Sequence, residues 1–370
     1  MKNRKYWLFI ISAIGAAWGV ALTLYPSEIR NSLEWLVSYF FNEKVPLFLI
    51  VIPTALVATA LVSRHLNLKN ITHEILPKNE KESQSKEFII KEFRGNYTLP
   101  KDDKVLGRSL KYIEYDRHSD ILVICLHGLG LSADDFNPFI LSSEYHVIAV
   151  TMFGFNANEK DNRRYKDISL ETHIRILLEF IIHIASENKK KDVVLVGFSF
   201  GADSMLKLAE LIQDYNPVKI KLMLFLDCNI NRSTMNIADK ISKIDINNPV
   251  DEFQRLSGST DDLTEYLNML EYIRKISNKN LTHVKRHASD YINYWGELNH
   301  DYDVFIDRVS IALSVSRCVR LVFSENYEND YNSVVNIFKD RLKVRDYEVL
   351  KNVGYDHFDL IKPILLNRFL

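Results

Sequence analysis

One stretch of this 370-residue chain indicates its fold: Val193-Val194-Leu195-Val196-Gly197-Phe198-Ser199-Phe200-Gly201. Its run of Val and Leu predicts a strand that is buried on both faces. Residues 202–208 carry apolar side chains with the spacing of one helix face. A Gly-x-Ser-x-Gly pattern therefore lies between a strand and a helix, where side chains at the flanks would clash. Such a tight turn raises the hydroxyl of Ser199 above the edge of the sheet.

Strand and helix patterns alternate along most of the chain. Short strands are predicted at 88–90, 110–115, 121–126, 145–150, 219–226, 318–323 and 347–350, and helices at 169–184 and 331–342. Between 229 and 316 the strand pattern lapses and helical spacing takes over. The fold class is therefore α/β, with a mostly parallel central sheet flanked by helices, and with a helical insertion at about 229–316 over the carboxyl edge of the sheet.

Composition excludes several classes of function. The formal net charge of −1 provides no long-range attraction to nucleic acid. The three cysteines have no zinc-site or disulfide-framework spacing, so free thiols are expected. No glycine loop follows a dinucleotide or P-loop pattern. We expect no metal and no cofactor.

Two uncharged runs near the N-terminus, 6–24 and 45–63, each have the length that a helix needs to cross a bilayer. They predict a membrane hairpin at 1–66, followed by a polar linker at 67–87. Lysine and arginine are denser before the first run and after the second than in the connector, which places both ends and the remaining chain on the cytoplasmic side. Two alternatives stay open, a cleaved secretory signal and a pair of buried core helices.

A serine nucleophile needs a base, and His357 is the best candidate. It lies in a turn after the last predicted strand, at the same sheet edge as Ser199. His127 also follows a strand, but its place before Gly128 suits it to holding a loop. We therefore expect His357 to be the base and His127 to be structural.

The base needs an anionic partner, and here the sequence leaves alternatives open. The loop at 324–330 follows the strand at 318–323 and offers Glu328 and Asp330. Asp227 ends the preceding strand and is the runner-up. The later loop, with Glu328 or Asp330, is the preferred source of the acid.

Acyl transfer also needs two N–H groups for the developing oxyanion. The backbone of Phe200 supplies one at the start of its helix. Leu129, in the loop His127-Gly128-Leu129-Gly130, is expected to supply the other, because Gly128 and Gly130 let that loop approach the substrate closely.

These motifs carry a resemblance. From 88 to 370 the chain resembles the α/β-hydrolase fold family in its oxyanion loop at 127–130, its nucleophile turn at 197–201 and its histidine loop at 354–358. The resemblance implies a serine hydrolase with a cap between the sixth and seventh strands. One departure is that the acid loop lacks Gly-x-x-Asp, and Tyr327 stands where the aspartate is expected.

The function expected from these features is hydrolysis of carboxylic esters or thioesters through an acyl-serine. Attachment to a bilayer by the hairpin favours amphipathic or lipid-like substrates such as lysolipids, monoacylglycerols or acyl thioesters. The same residues would also serve an acyltransferase or a peptidase. A catalytically inactive hydrolase fold used as a binding module is the alternative from another class.

Overall fold

An eight-stranded sheet runs through the described part of the chain. The computed structural model describes residues 89–93, 109–155, 168–189, 191–215, 218–231, 233–259, 263–296, 302–341, 347–351 and 355–370, all within the unit Ser85–Leu370. The strands are β1 (Ile89–Phe93), β2 (Leu110–Tyr115), β3 (Ile121–Leu126), β4 (His146–Thr151), β5 (Asp192–Phe198), β6 (Ile220–Leu226), β7 (Ser316–Phe323) and β8 (Tyr347–Lys351). Their order in the sheet is β1-β2-β4-β3-β5-β6-β7-β8.

The strand register brings several strand ends to one edge. β1 and β2 pair antiparallel, and so do β2 and β4, whereas every other neighbouring pair is parallel. The pairing sets Leu126 opposite Gly197, Phe198 opposite Leu226, and Leu226 opposite Val322. The residues that follow β3, β5, β6 and β7 therefore emerge side by side.

Helices cover both faces of the sheet. Alternate residues of β5 belong to different cores, with Leu195 in one and Val196 in the other, as the two-residue period of a strand requires. The first core is closed by α2 (Leu170–Glu187) and α3 (Phe200–Tyr215). The second is closed by α1 (Asn137–Ser142) and by α10 (Pro363–Phe369) at the end of the chain. The predicted α/β class and mostly parallel sheet are confirmed.

Helices fill the segment between β6 and β7, as expected. They are α4 (Asn236–Ser242), α5 (Pro249–Ser257), α6 (Leu263–Ile276), α7 (Leu281–Gly296) and α8 (Tyr302–Val315). α8 packs on α3 and β7, so it belongs to the layer that flanks the sheet. We therefore take α4 to α7 as the cap, and the predicted cap bounds of 229–316 remain a prediction.

The segment after β7 differs from its predicted form. A 3-10 turn at Glu325–Tyr327 leads directly into α9 (Glu328–Arg341), which begins three residues before the predicted start at 331. The expected acid loop is thus mostly helical. After β8, the 3-10 helix His357–Ile361 precedes α10.

The structure leaves the membrane hairpin as a prediction. In the described ranges, no helix has both the length and the apolar composition needed to cross a bilayer. The predicted spans at 6–24 and 45–63 and the linker at 67–87 lie outside those ranges. The three cysteines are free, with Cys125 and Cys228 buried and Cys318 partly exposed.

Candidate active site

Ser199 lies in the turn between β5 and α3 with a left-handed backbone, at φ 52°. Its N–H donates to Leu226 O at 2.7 Å, which ties the turn to the end of β6. Its carbonyl accepts from the N–H groups of Ala202 and Asp203 at 2.8 and 3.1 Å, so α3 begins at once. A non-glycine residue in this region of φ is strained, and its surroundings must hold it there.

The two glycines of the turn are sterically required. A Cβ at Gly197 would lie 2.6 Å from Ala202 Cα, and one at Gly201 would collide with the carbonyl oxygen of Leu126. Real Cβ atoms do not approach backbone atoms so closely. The close approach predicted from the sequence at these positions is therefore present.

A short hydrogen bond joins His357 to Asp227. The Nδ1–H of His357 donates to Asp227 Oδ2 at 2.7 Å. Asp227 directly follows β6 with φ 46°, and it is fully buried. It also accepts from the N–H of Ser324 and from its hydroxyl, each at 2.6 Å. Three donors thus fix the carboxylate, and the carboxylate fixes the ring and tautomer of His357.

This pairing reverses the order of preference expected from the sequence, which put Glu328 or Asp330 before Asp227. Both of those residues lie in the first turn of α9, and their side chains are outside the described residues. The left-handed backbone of Asp227 turns its carboxylate toward the end of β7. Tyr327, which stands where the family places an aspartate, donates its hydroxyl to the carbonyl oxygen of Asp227 at 3.3 Å.

Buried hydrogen bonds hold the loop that carries Leu129. His127 Nε2 accepts from the N–H of Met152 at 3.1 Å, so its proton is on Nδ1, which lies 2.8 Å from Gly128 O. Burial lowers the pKa of His127 to about 4. This neutral ring holds the loop and is not placed as a base, and Gly130 has the positive φ of 77° that favours glycine.

The first N–H of α3, that of Phe200, has no partner within its own helix because helix N-termini leave such groups free. It belongs to the same turn that carries Ser199. The structure thus presents the Phe200 turn beside the loop of Leu129, at the edge where β3 and β5 end.

A second buried carboxylate supports the Ser199 turn. Asp203, one turn into α3, accepts from Asn229 N–H at 2.9 Å and from Asn229 Nδ2 at 2.7 Å. Burial raises the pKa of Asp203 to about 7, and the hydrogen bonds from Asn229 oppose that rise. Asp203 therefore links α3, the helix that follows Ser199, to the segment that follows Asp227.

Tyr272, from cap helix α6, occupies the other side of the imidazole. Its hydroxyl lies 3.0 Å from His357 Nε2, and the phenol O–H is the donor because Nδ1 carries the ring proton. Burial raises the pKa of Tyr272 to about 12, and a hydrogen bond with Ser199 opposes this effect. Among the described residues, no direct hydrogen bond joins Ser199 Oγ to His357 Nε2. No motif marks Tyr272 in the sequence.

Histidine side chains pack between cap helix α7 and the ring of Phe200. The ring of His287 stacks on that of Phe200 with centroids 5.8 Å apart, and its pKa is lowered to about 3 by burial. His173 lies 4.4 Å from His287, measured between ring centroids. Even so, no three His, Cys, Asp or Glu side chains in the described ranges are arranged to hold a metal ion.

Known structures share the fold of this chain, although its sequence matches no known family. The chain matches no protein-family model, and no curated protein matches its sequence. AqDC, described as recognising the Pseudomonas quinolone signal and cleaving its ring, superposes with a TM-score of 0.53 at 12% identity, over 76% of this chain and 98% of that one. For 1H-3-hydroxy-4-oxoquinoline 2,4-dioxygenase the TM-score is 0.51 at 16% identity, over 71% and 95% of the two chains.

Both of these structures have the α/β-hydrolase fold. At such low identities the likeness concerns the fold and not the reaction. The strand order, the turn at Ser199 and the positions of Asp227 and His357 at neighbouring strand ends agree with it. This chain is therefore an α/β-hydrolase fold protein.

Proposed function

We propose that this protein is a serine hydrolase that cleaves carboxylic esters or thioesters through an acyl-serine intermediate. The observation that carries the proposal is the buried Asp227–His357 pair, at 2.7 Å, at the sheet edge where the turn after β5 presents Ser199. An imidazole oriented by a carboxylate is the general base that a serine hydroxyl needs.

In the proposed reaction, His357 Nε2 takes the hydroxyl proton as Ser199 Oγ attacks the substrate carbonyl. The N–H groups of Phe200 and Leu129 bind the oxyanion of the tetrahedral intermediate. Collapse of the intermediate expels the alcohol or thiol, which receives the proton from Nε2. Water then attacks the acyl-serine with the same base, and the free acid leaves.

The substrate class is inferred from the predicted location. A catalytic domain that follows a membrane hairpin at 1–66, on the cytoplasmic side, would meet amphipathic acyl esters at the bilayer surface. Small lipid-like esters and acyl thioesters are therefore the first compounds to assay. This part of the proposal depends on the hairpin and not on the geometry of Ser199.

Labelling by a fluorophosphonate probe, together with turnover of p-nitrophenyl acyl esters, tests the reaction. Wild type is expected to be labelled at Ser199 and to hydrolyse the esters, whereas Ser199→Ala should do neither. If wild type shows no turnover and no label, the hydrolase proposal fails. In that case the inactive-module alternative predicts that Ser199→Ala leaves the cellular phenotype intact.

Acyl transfer is separated from hydrolysis by the products. With added alcohol, amine or thiol acceptors, a hydrolase should release mainly free acid. Acceptor-dependent formation of a new ester, amide or thioester would assign the same acyl-serine to a transferase. Hydrolysis of peptide substrates, with release of free acid and amine, would assign it to a peptidase.

A further inference from the structure

We propose that Tyr272 is a gate: its phenol occupies the proton-accepting nitrogen of His357 while the cap is closed and must leave before Ser199 can attack. This inference rests on the proposed serine hydrolase function and adds to it a device carried by the cap. The structure thus represents the closed state of the site.

The imidazole of His357 has a single nitrogen lone pair that can accept a proton. His357 Nδ1 donates to Asp227, so Nε2 has one lone pair, and that lone pair accepts the Tyr272 hydroxyl at 3.0 Å. A serine hydroxyl must donate to the same lone pair in order to lose its proton. The two hydroxyl groups therefore compete for one acceptor.

The phenol of Tyr272 also lies between the base and the nucleophile. Its hydroxyl is 3.0 Å from His357 Nε2, and the nearby Ser199 side chain opposes the rise in its pKa that burial causes. The leaving group and the deacylating water must pass through this space between nucleophile and base. Ser199 and His357 each keep only 9% of their exposure, so little of either residue is open to solvent beside the phenol.

Two further contacts hold α6 over the site. Beyond Tyr272, the Lys275 ammonium pairs with the Asp135 carboxylate, just after the oxyanion loop. The side chain of Ile276 packs so closely on Gly130 that a Cβ atom on residue 130 would collide with it. The helix α6 thus contacts both His357 and the segment around the oxyanion loop. Movement of α6 away from the sheet would expose both.

Substitution of Tyr272 by Phe tests the gate, because the ring remains and only the competing hydroxyl is lost. We expect Y272F to be labelled by a fluorophosphonate about 5-fold faster than wild type, the factor that one typical hydrogen bond supplies. Y266F, with its exposed tyrosine on the same helix, is the matched control and should label at the wild-type rate. K275Q, which loosens the hold on Asp135, should also speed labelling.

An unchanged or slower rate in Y272F would overturn the gate. A slower rate would assign the phenol to a proton relay from Ser199 to His357 instead. A second measurement does not depend on the hydrolase proposal: diethyl pyrocarbonate modifies the free nitrogens of neutral imidazole, and peptide mapping reports on His357. Modification of His357 should be several-fold faster in Y272F than in wild type.

Fluorophosphonate labelling and diethyl pyrocarbonate modification together distinguish failure of the hydrolase proposal from failure of the gate. If no variant reacts with the fluorophosphonate but Y272F exposes His357 to diethyl pyrocarbonate, the hydrolase proposal fails and the phenol still guards the nitrogen. If His357 reacts equally fast in wild type and Y272F, the gate fails whatever the activity is.

Discussion

Asp227 acts through its backbone as much as through its charge. Its left-handed φ of 46° turns the carboxylate from the end of β6 toward β7, where Ser324 donates two hydrogen bonds at 2.6 Å. Oδ2, which accepts from the Ser324 hydroxyl, also accepts from His357 Nδ1. A buried carboxylate held by three donors keeps the imidazole in the tautomer that leaves Nε2 able to accept a proton.

Substitution of Asp227 by Asn should remove that orientation while keeping the size of the side chain. We expect kcat for a p-nitrophenyl ester to fall about 10³- to 10⁴-fold, because the wrong tautomer is favoured. Steady-state kinetics measure the change. Glu328→Gln and Asp330→Asn are the controls and should stay within about 3-fold of wild type; a larger loss in either control than in Asp227→Asn would return the role of acid to the later loop.

The pH dependence of stability tests the state of His127. Its folded pKa of about 4 lies below the ordinary 6.5 because of burial, so the unfolded chain binds its proton first. The stabilisation is complete above pH 6.5 and is lost as the pH falls toward 4, by about 2 kcal/mol between pH 7.5 and 5. Urea unfolding of wild type and His127→Gln at several pH values measures the difference, and parallel curves would contradict a neutral His127.

Single residues were predictable from sequence where a local constraint marks them. Ser199 is marked by two glycines between a strand and a helix, and His357 by the turn after the last strand. The carboxylate that pairs with His357 was not predictable, because Asp227, Glu328 and Asp330 all follow strands that end at the same edge. The left-handed backbone that directs Asp227 to His357 appears only in the structure. Tyr272 has no such mark, since an apolar-spaced tyrosine in a cap helix is indistinguishable from a core residue.

At the scale of elements, the turn from β5 to α3 depends on backbone packing. Gly201 lies against the carbonyl oxygens of Leu126 and His127, so the end of β3 and the start of α3 are in direct contact. The parallel register that sets Leu126 opposite Gly197 produces this contact. The turn therefore packs the ends of β3 and β5 against the start of α3.

Gly201→Ala should destabilise the protein by about 3 kcal/mol or more, because the new methyl group meets backbone that cannot rotate away. Gly258→Ala is the matched control, since a Cβ there lies 3.4 Å from Gln254 O, an ordinary contact. Its effect should be within about 0.5 kcal/mol. Thermal unfolding of the two variants gives the comparison; equal stabilities would remove the steric account of the turn.

Elements with a clear period were predicted well, and their boundaries and affiliations less so. The strands β3, β5 and β6 lie within a residue or two of their expected limits because each is an apolar run that ends at a turn. α8 was expected in the insertion, but it packs on α3 and β7. Helical spacing identifies an apolar face without stating which element that face covers.

For the whole molecule, the sequence predicts that a membrane hairpin precedes the domain with the α/β-hydrolase fold. The runs at 6–24 and 45–63 and the distribution of Lys and Arg predict that both ends of the hairpin face the cytoplasm. The polar linker at 67–87 would then allow the domain to reach the bilayer surface. This arrangement is a proposal that cell-based labelling can examine.

Single cysteines in a Cys318→Ser background report the topology, because the two other native thiols are buried. We expect Ser38→Cys, in the connector, to react with an impermeant maleimide in intact cells. Ser83→Cys, in the linker, should react only after permeabilisation. Labelling of Ser83→Cys in intact cells would favour the secretory alternative and move the catalytic domain to the other side.

Capture of the acyl-enzyme is the most direct test of the proposed acyl-serine mechanism. Wild type mixed rapidly with a p-nitrophenyl ester and quenched in acid is expected to gain the mass of one acyl group, located on the peptide that contains Ser199. Ser199→Ala should gain none. Turnover without a modified Ser199, or an acyl group on another residue, would contradict the proposed mechanism.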